Sequence, residues 1–196
     1  MLALDQRAHG DSTRRGDGYV RVAEIASSRF GAVVRAGLLD VAAARALLAE
    51  RGLGQGGLAL VGASYGCTVS LLAAAQQAST PPDPTTPQAA PEGAARSEPQ
   101  ASEVREIDAL VLLSPGTAYF GVDVTVAARR FAGPVLGVAA ADDPRSARST
   151  RALLEAHTGP EELLVHPSGG HGTRLFSSRP EVLAHIVDFL GEALPH

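Results

Sequence analysis

Residues 60–66 read Leu-Val-Gly-Ala-Ser-Tyr-Gly, "LVGASYG". An apolar run stops there, and Ser64 stands between two glycines at G-x-S-x-G spacing. The residues before it, "GLALVG" (57–62), predict a short buried strand. Those after it, "GCTVSLLAAAQQA" (66–78), predict a helix of small residues. A sharp strand-to-helix turn exposes the residue at its apex. Side chains at 62 and 66 are expected to crowd that turn, which accounts for the two glycines. Ser64 alone is also compatible with an ordinary turn serine, so the rest of the chain must decide.

Downstream, three more apolar runs predict strands: "IDALVLLSP" (107–115), "PVLGVAAADDP" (134–144) and the start of "EELLVHPSGGHG" (161–172). None alternates apolar with polar residues, as a strand with one wet face would. Helical patterns separate them at 29–51, 122–133, 147–159 and 178–194. The first has Val33, Leu38, Val41, Ala44 and Leu48 on one face and Gly52 as a C-terminal cap. The last has Ser178 as a candidate cap and Pro180 in its first turn. Continuous apolar strands alternating with helices predict an α/β fold, a mostly parallel sheet with helices on both faces. "LALD" (2–5) reads as a further buried strand, and 6–19 as loop. Residues 79–104 hold six prolines and almost no large apolar residue. They are expected to be a disordered surface insertion in a single domain spanning 1–196.

Composition narrows the function. The chain of 196 residues is 45% hydrophobic and 19% charged, enough for one sizeable core. A net charge of −4 argues against nucleic-acid binding, which needs a basic footprint. All 17 basic residues are arginine, a pattern that fits coding bias better than function. The single cysteine, Cys67, excludes an internal disulfide and reads as a small buried residue. No run of 18 apolar residues predicts a membrane span, and "MLALDQRAHGDS" does not read as a signal peptide, so a cytoplasmic protein is expected.

In parallel sheets, reactive groups collect at the carboxyl ends of the strands. Three candidates follow three strands here: Ser64, Asp142 or Asp143, and His171. A serine hydroxyl needs a base to take its proton. Imidazole suits that role near neutral pH, and a carboxylate orients the imidazole. One of the two aspartates is expected merely to end its strand in solvent. The other histidines read as structural: His9 in a turn, His157 and His185 on helices, His166 too far back in its strand, and His196 at the terminus. No His/Asp/Glu spacing points to a metal site.

At these residues the sequence resembles the α/β-hydrolase family. "GASYG" (62–66) resembles its nucleophile elbow, and the order Ser64, Asp143, His171 is the family's order. "LALDQRAHGDS" resembles a D-x-R-G-H-G-x-S segment through Asp5, Arg7, His9, Gly10 and Ser12, with Ala8 where that pattern has glycine. "VAAADDP" and "GGHGT" resemble the acid and histidine segments. The resemblance implies Asp143, before Pro144, as the acid. It also implies one oxyanion donor at the backbone N–H of Tyr65, and no cofactor. The implied activity is cleavage of an ester or related acyl substrate through an acyl-enzyme. A small-molecule substrate is the implied partner, and residues 116–133 are too few for a large cap domain. The alternatives are a catalytically impaired remnant, a non-catalytic scaffold, or transfer of the acyl group to an acceptor other than water.

Residues 1–12 resemble the fourth strand of that fold and its turn, so the resemblance implies that three earlier strands are missing. One of them would fill a slot roughly 9.6 Å wide between "LALD" and "LALVG". The expectation is that "LALD" slides against "LALVG", stays detached, or is completed by a segment outside this chain. A chain starting at Met1 is expected to be poorly active or poorly soluble.

Overall fold

The apolar runs around 57–63, 107–113, 134–140 and 161–166 pair as one sheet. A computed structural model of the protein describes residues 1–16, 18–25, 27–53, 56–77 and 106–195. The proline-rich stretch at 79–104 lies outside them. The chain opens with a two-residue hairpin, β1 (Arg14–Arg15) and β2 (Gly18–Tyr19), then a 3-10 turn at Val22–Glu24 and α1 (Ser27–Glu50). Next come β3 (Ala59–Ala63), α2 (Tyr65–Gln77) and β4 (Ala109–Leu113). A second small hairpin, β5 (Ala118–Tyr119) and β6 (Val122–Asp123), leads into α3 (Thr125–Arg130). Then follow β7 (Val135–Ala140), α4 (Pro144–Ala156), β8 (Glu161–His166), α5 (Arg174–Ser178) and α6 (Glu181–Ala193).

The main sheet has the order β3-β4-β7-β8, and all its pairs are parallel. Leu60 stands opposite Leu110, Leu110 opposite Val135, and Val135 opposite Glu161. The two inner strands, β4 and β7, are buried at every residue. Their continuous apolar character follows, because successive side chains point to opposite faces and both faces are covered. Leu110 and Leu112 pack with Val69 and Leu71 of α2 and Leu153 of α4. Val111, Leu113, Leu136 and Val138 pack on the other side with Leu175 of α5 and Val182 and Ile186 of α6. Among the described residues no helix is long and apolar enough to cross a membrane.

Several boundaries differ from the sequence reading. "LALD" forms no strand and does not pair with β3, and Leu2 and Leu4 are exposed. A lone extended segment gains nothing from burial when its N–H and C=O groups have no ladder to join. The chain is instead fastened just beyond it. Arg7 donates to Asp40 of α1 from Nε and Nη2, the latter at 2.6 Å, and its backbone N–H donates to the same carboxylate at 2.9 Å. The segment 122–133 holds β6 before its helix. The helix expected at 147 starts at Pro144, because Asp143 caps it and proline at the first position needs no N–H partner. Ser178 ends α5 and does not cap α6, whose N-cap is Pro180.

Candidate active site

At the carboxyl end of β3 the chain turns into α2 through Ser64, with a φ of 53°. This left-handed conformation costs an L-residue about 1–2 kcal/mol and is held only where its surroundings dictate it. Gly62 is one such element. A Cβ there would sit 2.7 Å from the Gly66 carbonyl carbon and 2.8 Å from the Cys67 nitrogen, both rigid backbone. Gly66 differs from expectation, since a Cβ there would meet nothing within 4 Å. Only Gly62 is required by the closeness of strand and helix. The Ser64 N–H donates to the Leu113 carbonyl at 2.8 Å, tying the turn to β4. Beneath it the fully buried Cys67 thiol donates to the Gly62 carbonyl at 3.1 Å. Burial pushes that thiol up, away from thiolate chemistry.

β8 runs into the loop that carries His171. Its Nε2 lies 2.8 Å from Ser64 Oγ, and its Nδ1 lies 2.6 Å from Asp143 Oδ2. Ser146 Oγ is 3.2 Å from the same Nδ1. The carboxylate is acceptor-only, so the Nδ1 proton belongs on the Asp143 side and Nε2 accepts from Ser64. Burial pushes the Asp143 carboxyl up, but hydrogen bonds from Ser146 and His171 outweigh it and hold the group below the usual carboxylate range. Asp143 therefore does two things: it caps α4 by accepting from the Ser146 N–H at 3.3 Å, and it meets His171.

Asp142 does not simply end β7 in solvent. Its two oxygens accept from the Gly169 and Gly170 N–H groups, each at 3.1 Å. The Gly172 N–H donates to Ser114 Oγ at 2.9 Å from the other side of His171. The two aspartates thus divide the work, one fixing the loop's backbone and the other facing the imidazole. Tyr65 opens α2, where the first N–H groups have no helical carbonyl to donate to. Its ring stacks on His9 at 5.0 Å, and burial pushes its phenol up to about 12. Ala8, where the resembled segment has glycine, sits at a φ of 67°. Two other histidines lie outside this cluster: His157 caps α4, and His185 Nε2 meets Glu162 at 2.6 Å.

Tyr119 escaped the sequence reading. Its hydroxyl oxygen lies 2.5 Å from Ser64 Oγ. The available signal was the Phe-Gly pair at 120–121, a tight-turn pair after a tyrosine, just ahead of the stretch read as helix.

No family model and no curated protein sequence matches the chain. Among solved structures it is similar to puromycin hydrolase, with 16% identity and a TM-score of 0.56 over 80% of this chain and 25% of that one. An esterase from Pyrococcus furiosus matches at 14% identity and a TM-score of 0.53, over 80% of this chain and 61% of that one. A lipase-esterase related protein from Clostridium acetobutylicum matches at 12% and 0.57, over 94% and 80%. The match thus spans a quarter of the first and about three-fifths of the second. At such identities the likeness is one of fold.

Proposed function

We propose that this chain, which has the α/β-hydrolase fold, is a serine hydrolase acting on an ester or related acyl group of a small molecule. The observation that carries the reading is the unbroken hydrogen-bonded line from Ser64 Oγ through His171 to Asp143, at 2.8 and 2.6 Å. Ser64 Oγ attacks the acyl carbon while its proton passes to His171 Nε2. Asp143 holds the imidazole in the required tautomer and stabilises the imidazolium that forms. The Tyr65 N–H, at a helix N-terminus, faces developing negative charge. Collapse of the tetrahedral species releases the alcohol, which takes the proton from His171. Water then repeats the sequence on the acyl-enzyme.

A second reading, a scaffold that no longer turns over, is favoured by one observation: β3 ends the sheet and no strand pairs with its outer edge among the described residues. A fluorophosphonate probe separates the two. The hydrolase reading expects labelling of the folded wild type that is lost in Ser64→Ala, together with cleavage of p-nitrophenyl acetate. A folded sample that takes no label supports the scaffold.

A further inference from the structure

The Ser64 hydroxyl has one proton, and the orientation of His171 commits that proton to Nε2. The short contact between Ser64 Oγ and Tyr119 Oη must then run the other way, with the phenol donating to the serine oxygen. Tyr119 is held there from two sides. Its hairpin reverses through Phe120 and Gly121, with φ of 46° and 76°, the positive pair that a two-residue hairpin turn requires. Phenylalanine rarely adopts that conformation, and here its ring rests against Phe30 of α1 at 4.2 Å. On the other side, Gly116 leaves room for the tyrosine ring, which a Cβ there would approach to 3.1 Å. The hairpin is therefore anchored at its tip, with the phenol aimed at the nucleophile.

We propose that Tyr119 is a catalytic residue, whose phenol donates to the oxyanion alongside the Tyr65 N–H. The proposal rests on the serine-hydrolase reading. When Oγ bonds to the acyl carbon, its proton goes to His171 and the carbonyl π pair moves onto the carbonyl oxygen. Oγ is then an ester-like oxygen and a weak acceptor. The new alkoxide, attached to the same carbon, is a much stronger one. The phenol shifts its hydrogen bond from the first oxygen to the second. Collapse returns the pair to the carbonyl, breaks the bond to the leaving alcohol and sends the phenol back. The interaction strengthens with the charge, and only such differential binding accelerates a reaction.

Tyr119→Phe tests this, because it removes the hydroxyl and keeps the ring against Gly116. Wild type and variant are compared with p-nitrophenyl acetate, and with phenylboronic acid, which forms a tetrahedral adduct on a serine. Rates are normalised to the titre of fluorophosphonate-labelled Ser64, so a partly unfolded sample does not mimic a catalytic loss. The expected result is a kcat lower by about 10- to 100-fold, a KM within about twofold, and a boronate inhibition constant raised in step with the loss of kcat. An unchanged kcat and boronate constant, or a faster variant, overturns the assignment; a faster variant marks the phenol as a plug over the nucleophile. A wild type that takes no label overturns the hydrolase reading and the proposal with it. A labelled wild type with an indifferent Tyr119→Phe overturns the Tyr119 role alone.

Discussion

Asp143 has two hydrogen-bonding obligations that pull its chemistry the same way. The Ser146 N–H and the His171 imidazole both donate to its carboxylate, and both contacts favour the charged form. The folded protein therefore binds a proton at Asp143 less readily than the unfolded chain does. The stability this contributes is fully present above the ordinary aspartate value near pH 4. It is lost as pH falls through the lower value held in the fold. Asp143→Asn removes the titration while leaving a competent helix cap. The thermal midpoint of the wild type should therefore exceed that of Asp143→Asn at pH 7, with the gap closing below about pH 4. In the same variant kcat for an ester should fall by about 10⁴-fold, since an amide facing Nδ1 favours the wrong tautomer. An acid-independent gap, or a loss under tenfold, would count against this account. The neighbouring pair also shows what one sequence can and cannot say. "DDP" announces a capped helix through Asp143 and Pro144. That Asp142 fastens the Gly169–Gly170 backbone depends on a loop that arrives from β8, about 27 residues away.

The β3–α2 unit positions Ser64, and its two glycines make opposite predictions. Gly62 lies against the backbone of Gly66 and Cys67, which cannot swing aside as a side chain end can. Gly62→Ala should cost about 2–3 kcal/mol in urea unfolding and reduce fluorophosphonate labelling, because relief requires moving α2 away from β3. Gly66 faces open space, so Gly66→Ala should leave stability within about 1 kcal/mol of wild type and tend to raise it, alanine being the better helix former. Equal losses in the two variants would refute the steric distinction. The elements most readable from the sequence were those whose burial is complete. β4 and β7 are covered on both faces and read as unbroken apolar runs. The β5–β6 hairpin was hidden because each strand has two residues, too short for any period to register, and its turn places a phenylalanine where glycine or asparagine is usual. Tyr119 went unread with it. "LALD" misled in the opposite direction: its residue types suit a strand, but strand formation depends on a partner edge, and the chain is held to α1 by Arg7 instead.

Among the described residues the main sheet has two outer strands, and they are protected unequally. β8 carries Glu161 and Glu162, with His185 of α6 against the second. β3 reads Ala-Leu-Val-Gly-Ala, without a charge, a proline or a bulge, and Val61 at its centre is half exposed. An uncharged edge with free N–H and C=O groups is a template for pairing with another strand, and charged side chains on an edge are the usual deterrent. The exposed leucines at 2 and 4 add apolar surface in the same N-terminal part of the chain. Concentrated protein should therefore self-associate through β3 rather than through β8. Sedimentation velocity over a hundredfold range of concentration should show a weight-average mass that climbs. Val61→Lys should flatten that climb by placing a charge on the unprotected strand, whereas Leu163→Lys on the already acidic β8 should leave it unchanged. If both variants flatten it equally, association runs over a general apolar surface and the open edge is not its cause. If neither does while the wild type associates, the contact lies elsewhere in the molecule, and the β3 edge is shielded in solution despite its composition.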